Sequence, residues 1–128
     1  MKRILVAEDR PASLELIRMV LESAGYEVIE AVDGQEAVEK ASADPVDLIL
    51  LDLQMPKLDG FGVVTHLRRD PRFQRTPIVA LTASAMHGDR ERALAAGFSS
   101  YITKPVDVTA LRSEMERLTG STEGSQTR

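Results

Sequence analysis

Leu48-Ile49-Leu50-Leu51-Asp52 decides the fold: four apolar residues in unbroken succession, closed by a carboxylate. A strand with one wet face alternates apolar and polar residues. An unbroken apolar run reads instead as a strand covered on both faces, the signature of a parallel sheet with helices on either side. The same pattern recurs in Ile4-Leu5-Val6-Ala7, Val28-Ile29 and Ile78-Val79-Ala80-Leu81, with Tyr101-Ile102 as a weaker fifth run.

Helical spacing fills the intervals. Residues 13–24 place Leu14, Ile17, Leu21 and Ala24 on one face, with Pro11 suited to the first turn and Gly25 to the C-terminal cap. Residues 35–42 offer Ala37, Val38 and Ala41, and residues 61–69 offer Phe61, Val64 and Leu67. The helix at 87–96 has only alanines and Leu94 on its apolar side and stops at Gly97, so it is expected to be the most weakly anchored. Val108, Leu111, Met115 and Leu118 form a last stripe, with Asp107 placed to cap its start. Five β-then-α units in about 120 residues leave connections too short for anything but parallel strands joined by right-handed crossovers. The expectation is an α/β protein: a three-layer (βα)5 doubly wound, parallel five-stranded sheet.

The chain has 128 residues, enough for one domain. Residues 1–119 read as that domain, and 120–128, without an apolar side chain, as a flexible polar tail. No apolar run exceeds four residues, far short of the roughly 20 that span a bilayer, and the run after Met1-Lys2-Arg3 is too short for a signal peptide. A cytoplasmic protein without membrane contact is expected. Zero cysteines exclude disulfides, thiol catalysis and iron–sulfur clusters, and two histidines do not make a zinc site, so any metal must be a hard, oxygen-bound one. A net charge of −4 argues against a direct nucleic-acid partner. Residues 1–64 carry thirteen acids and six bases, residues 65–128 seven acids and ten bases, which places acidic chemistry in the first half.

In open α/β sheets ligands bind outside the carboxyl ends of the strands. There the sequence places Glu8-Asp9 after the first run, Asp52 at the end of the third, Thr82 after the fourth and Thr103-Lys104-Pro105 after the fifth. Three gathered carboxylates repel one another unless a cation offsets them. Mg2+ suits the set, with Asp9 and Asp52 as ligands and Glu8 acting through water. Lys104 adds a fixed positive charge and Thr82 a hydroxyl donor, a combination suited to phosphoryl oxygens. With no thiol, no Ser-His pair and no glycine-rich phosphate loop, the group able to attack phosphorus is a carboxylate, and Asp52 is the candidate. Each residue alone reads as a turn, cap or surface residue; the joint placement carries the argument. His66, His87 and the arginines at 68, 69, 72, 75, 90 and 92 read as solvated surface.

These motifs, together with Asp52-Leu53-Gln54-Met55-Pro56, Asp59-Gly60, Ala95-Ala96-Gly97-Phe98 and Tyr101-Ile102-Thr103-Lys104-Pro105, resemble the receiver domain of bacterial two-component response regulators over residues 2 to about 119. The resemblance implies a flavodoxin-like strand order 2-1-3-4-5. It implies that Asp52 accepts a phosphoryl group from a phosphohistidine of a sensor histidine kinase or histidine phosphotransfer protein. The backbone carbonyl of Gln54 would complete the Mg2+ ligands, with Mn2+ able to substitute, and Thr82 and Lys104 would contact the phosphoryl group. Tyr101 would be an aromatic switch and Lys104-Pro105 a cis peptide. The protein would be no enzyme beyond its own phosphorylation and dephosphorylation, and a monomer or a weak phosphorylation-dependent dimer. Glu8 stands where the family more often has Asp.

The switch implied is two-state. Phosphoryl on Asp52 recruits Thr82, the following loop moves inward, Tyr101 rotates, and the surface of helix 87–96, strand 100–103 and helix 108–119 changes for a separate output protein. Gln54 and Ser84, two positions beyond Asp52 and Thr82, should flank the path of hydrolytic water and set the phosphate lifetime. A haloacid-dehalogenase-like phosphatase would need a second aspartate where Gln54 stands, and a flavodoxin-like cofactor binder would not place Glu8-Asp9 against phosphate. The remaining alternatives are a receiver belonging to a hybrid histidine kinase and a degenerate receiver acting as a phosphate-independent binding module. The initial methionine and polar tail favour a free-standing protein.

Overall fold

The computed structural model describes residues 2–83 and 89–120; Ser84, His87 and residues 121–128 of the expected tail lie outside the described residues. Strands β1 (Arg3–Ala7), β2 (Glu27–Ala31), β3 (Leu48–Asp52), β4 (Ile78–Thr82) and β5 (Ser100–Thr103) alternate with helices α1 (Pro11–Ser23), α2 (Gly34–Ala43), α3 (Gly60–Arg68), α4 (Asp89–Ala96) and α5 (Val108–Thr119). All strand pairs are parallel, in the order β2-β1-β3-β4-β5. This is the expected doubly wound sheet and strand order.

The unbroken apolar runs have a direct cause. Successive residues of a strand point to opposite faces, and here both faces are covered. Ile4, Val6, Leu48, Leu50, Val79 and Leu81 pack with Leu14, Ile17 and Leu21 of α1 and Leu111 and Met115 of α5. Their neighbours Leu5, Ala7, Ile49, Leu51, Ile78 and Ala80 pack with Ala37 and Ala41 of α2, Val63, Val64 and Leu67 of α3, and Ala93 of α4. The two edge strands are different: β2 and β5 are only partly covered, which explains their shorter apolar runs. At the free edge of β2, Glu27 and Glu30 pair with Arg3 at 3.2 Å and Arg18 at 2.8 Å. Lys40 Nζ donates to the Glu30 carbonyl at 2.6 Å.

Caps set the helix ends. Pro11 opens α1 without a capping side chain, and the chain leaves the helix through Gly25 at φ 96°. Asp33, Asp59 and Asp107 accept from the backbone N–H groups of Glu36, Gly62 and Ala110 to start α2, α3 and α5. Leu94 and Val108 depart from expectation, being 43% and 42% exposed. Ala93, not Leu94, is the buried residue of α4, so that helix is held by even less apolar area than its sequence suggests. A 3-10 turn at Pro71–Phe73, opened by Asp70 and burying Phe73, is not legible as a periodic segment.

Candidate functional site

Register places the site. Ala7 pairs with Leu51, Leu51 with Ala80 and Ala80 with Tyr101, so the four strands stop nearly level and Glu8, Asp52, Thr82 and Lys104 emerge at one edge. The ladder runs slightly past the strand ends: Leu53 N donates to Leu81 O at 2.9 Å and Lys104 N to Thr82 O at 2.7 Å. These bonds fix the backbone on either side of the functional residues.

Asp52 is buried, and both of its oxygens are engaged. Oδ1 accepts from the Gln54 backbone N–H at 2.9 Å, and Oδ2 accepts from Lys104 Nζ at 2.7 Å. Lys104 Nζ also lies 2.6 Å from Glu8 Oε1, while Glu8 Oε2 accepts from Arg10 N at 3.1 Å. Glu8 is fully buried, and burial pushes its carboxyl above the usual range against the opposing pull of Lys104. Burial alone would lower the Lys104 ammonium, but its hydrogen bond to Asp52 and the negative charges of Asp52 and Glu8 outweigh burial and hold the ammonium above its ordinary value. Thr82 is buried at the same edge, Asp9 is exposed, and the Lys104–Pro105 peptide is cis.

Oxygens of Glu8, Asp9 and Asp52 all lie within 4.8 Å of one another. One ammonium does not neutralise three carboxylates, and the Glu8 Oε1 contact with Nζ is an ion pair by distance only, since this buried atom lacks a hydrogen-bond partner. An all-oxygen donor set with residual negative charge and a buried, unsatisfied oxygen fits a hard divalent cation such as Mg2+.

The loop after β3 is held by close approach. A Cβ on Gly60 would stand 2.6 Å from the Asp52 carbonyl oxygen, and one on Gly34 would stand 1.7 Å from the Leu58 carbonyl oxygen. Asp59-Gly60 therefore combines a cap with the absence of a side chain, letting α3 start directly against the end of β3. Lys57, at φ 70°, pairs with Asp33 at 3.5 Å and ties the same loop to the start of α2.

Residues 4–116 match the family description "response regulator receiver domain". The chain belongs to the response regulator receiver domain family. It is 40% identical over 114 residues to the signal transduction histidine-protein kinase BarA of Escherichia coli K12, covering 89% of this chain and spanning only 12% of that kinase. It is 38% identical over 107 residues to the polar-differentiation response regulator DivK of Brucella anthropi, covering 84% of this chain and 87% of DivK. Among solved structures, the receiver domain of the sensor histidine kinase PA1611 of Pseudomonas aeruginosa superposes with a TM-score of 0.87 at 39% identity, over 93% of this chain and 98% of that one. That structure carries a magnesium ion in its active-site cleft. Chemotaxis protein CheY4 of Vibrio cholerae gives a TM-score of 0.87 at 30% identity, covering 92% of this chain and 98% of CheY4.

Within this receiver domain the structure gathers Glu8, Asp9, Asp52 and Lys104 into one cluster, with Gln54 joined through its backbone N–H and its side chain exposed. Tyr101 stands apart from that cluster. It is half-buried against the core and lines a groove of about 560 Å³ with Leu94, Arg90, Glu114 and Arg117. Two features escaped the sequence reading. Glu8 contacts Lys104 directly, which strand-end position alone does not foretell. Arg68 is no solvated rim residue: its guanidinium donates to the carbonyls of Gly97, Phe73 and Thr76 and to Ser99 Oγ, and burial lowers its pKa. The glycine after Ala95-Ala96 was the available signal, because a helix ending on a left-handed residue turns its last carbonyls towards a donor.

Proposed function

We propose that residues 1–119 form a phosphorelay receiver unit, followed by the polar tail 120–128, in which Asp52 accepts a phosphoryl group from a phosphohistidine of a sensor histidine kinase or phosphotransfer protein. A carboxylate oxygen of Asp52 attacks phosphorus, the phosphorus–nitrogen bond breaks, and the imidazole leaves with the electron pair. Asp9, Asp52 and the Gln54 carbonyl would hold Mg2+ or Mn2+, with Glu8 acting through water. When bound there, the ion would supply positive charge to offset the phosphoryl oxygens, which these residues would hold in line with Asp52. Lys104 transfers its contact from Asp52 to a phosphoryl oxygen, and Thr82 donates to another. Gln54 and Ser84 flank the approach of hydrolytic water. These steps act only on the protein's own phosphate, so no turnover of other substrates is assigned.

The observation that carries this reading is the Lys104 Nζ to Asp52 Oδ2 contact at 2.7 Å, inside a cluster whose three carboxylates lie within 4.8 Å. It sets a cationic donor against the carboxylate that would be modified. The output surface is the groove between α4, β5 and α5, where Tyr101 turns inward and a separate output protein reads the change. Nucleic acid and membrane contacts are not assigned; among the described residues no helix is long and apolar enough to cross a membrane. A cytoplasmic monomer, or a weak dimer on phosphorylation, completes the reading.

Incubation with acetyl phosphate and Mg2+, followed by intact mass, tests it. A gain of one phosphate, absent in Asp52→Asn, is expected. A wild type that gains no mass would leave a phosphate-independent binding module.

A further inference from the structure

The segment that would bring the Gln54 carbonyl to the ion runs from Leu53 to Gly60, and both of its ends are pinned beside β3. Gly60 N donates to Leu53 O at 3.1 Å, Leu53 N to Leu81 O at 2.9 Å and Gln54 N to Asp52 Oδ1 at 2.9 Å. Between these points Gln54, Pro56 and Lys57 are exposed, and Leu58 N closes a tight turn on Pro56 O at 2.7 Å. Lys57 stands inside that turn at φ 70°, the one residue other than glycine with a positive φ among the described residues. A side chain disfavours the left-handed region, so the surroundings must hold it there.

The hold comes from the start of α2. Asp33 divides its carboxylate: Oδ1 accepts from Glu36 N at 2.8 Å and caps the helix, while Oδ2 faces Lys57 Nζ at 3.5 Å. The carboxyl is kept below its usual range first by the Glu36 N–H and then, against burial, by the charge of Lys57. One residue further on, the Leu58 carbonyl lies so near Gly34 that a Cβ there would stand 1.7 Å from its oxygen. The Leu58 side chain closes over Gly62 of α3 in the same way, where a Cβ would stand 2.5 Å from Cδ1. Leu58 is thus wedged between the first turns of two helices, and the residue before it is tethered to one of them by charge. The wedge is steric and fixed. The tether, with the Lys57 side chain 65% exposed, is open to solvent and salt.

We infer that the Asp33–Lys57 pair is a positioning device for the metal loop, holding the left-handed turn at Lys57 and, through it, the Gln54 carbonyl in the direction a divalent ion requires. Neither side chain would touch the ion or the phosphoryl group, and the inference rests on the receiver reading given above. Mg2+ demands near-ideal octahedral ligands, so a loosened loop should cost ion affinity before it costs chemistry or fold. An exposed pair sets a modest scale, about threefold in the dissociation constant.

Calorimetric titration of the full chain with Mg2+, paired with the rate of labelling by acetyl phosphate at graded Mg2+, tests this. In Lys57→Gln the dissociation constant and the half-saturating Mg2+ should both rise about threefold, with the rate at saturating Mg2+ and the urea midpoint as in wild type. Lys57→Arg, which keeps the cation, should behave as wild type. Asp33→Asn keeps the cap and should match Lys57→Gln, and the double variant should be no worse than either, since each removes the same contact. Added sodium chloride should narrow the gap between wild type and Lys57→Gln. Unchanged affinity in Lys57→Gln, additive losses in the double variant, or a lower saturating rate at unchanged half-saturation overturns the positioning role and leaves the receiver reading intact. A wild type that neither binds Mg2+ nor gains phosphate overturns both.

Discussion

Lys104 and Glu8 meet at 2.6 Å although their strands, β5 and β1, are separated in the sheet by β3 and β4. The ammonium follows the edge strand, reaches over the end of β4, touches Asp52 at the end of β3 and continues to Glu8 beyond β1. One side chain thereby joins three strand ends and offsets charge that would otherwise keep them apart.

Lys104→Ala should therefore be costly in the absence of metal. It leaves fully buried Glu8 and 7%-exposed Asp52 facing each other without a cation, a loss of about 3 kcal/mol for breaking a buried pair. Millimolar Mg2+ should restore part of that, because an ion bound only by the folded state stabilises it. Urea titrations with and without Mg2+ measure both effects. The variant should still bind the ion and, unlike wild type, show no change in amide hydrogen exchange on adding beryllofluoride, a phosphoryl mimic.

Asp9→Ala tests the metal assignment from the other side. Asp9 is the exposed member of the three-carboxylate cluster, so its loss should leave the fold intact and abolish Mg2+-dependent labelling by acetyl phosphate. Labelling at the wild-type rate would remove Asp9 from the ion's ligands. Chelation of the wild type should reproduce the Asp9→Ala result.

Phosphate lifetime should respond to Gln54→Ala and Ser84→Ala with the unfolding midpoint unchanged. The Gln54 side chain is exposed, and its structural bond to Asp52 runs through the backbone N–H, which alanine preserves. Decay of phosphoprotein mass after removal of donor measures the rate. Decay indistinguishable from wild type in both variants would exclude these side chains.

Two glycines should answer differently to alanine. At Gly34 the new Cβ would stand 1.7 Å from the Leu58 carbonyl oxygen, so the loop after β3 must move, at more than about 4 kcal/mol. At Gly25 nothing lies within 4 Å, and only the left-handed backbone at φ 96° resists, at about 1–2 kcal/mol. Thermal unfolding of the two variants separates steric from conformational cost.

Acid should loosen the junction of β5 and α5. The Glu114 carboxyl is held below its ordinary range first by hydrogen bonding to Arg117 and then, against partial burial, by Ser100 Oγ at 2.5 Å. A depressed folded-state value means the stabilisation is complete above the unfolded value of about 4.3 and is lost as pH falls below it. Glu114→Gln should be less stable than wild type at pH 7, and the difference should shrink progressively as the pH is lowered from the unfolded carboxylate range through the depressed folded-state value. A difference that grows on acidification would reverse the sign of this argument.

The sheet, its parallel sense and the convergence of Glu8, Asp9, Asp52, Thr82 and Lys104 were legible because strand ends are marked by where apolar runs stop, and parallel strands must stop together. What the sequence hid depends on distance across the fold. Leu94 and Val108 fit an apolar stripe by spacing, yet both are largely exposed, Leu94 lining the open groove beside edge strand β5. Arg68 sits at a helix end as a solvated arginine would, and only the approach of Gly97, Phe73 and Thr76 turns it inward.

The free edge of β2 has a consequence for how these molecules behave when crowded. An uncovered strand offers its backbone to any passing chain and is the ordinary starting point for sheet-to-sheet accretion. Here the Lys40 ammonium already occupies the Glu30 carbonyl, and the Glu27 and Glu30 side chains line the same border with charge. A second strand arriving there would have to evict a cation and desolvate two carboxylates before its first hydrogen bond formed. The β2 border is thereby blunted: strand addition there competes with the Lys40 contact and must cover two carboxylates.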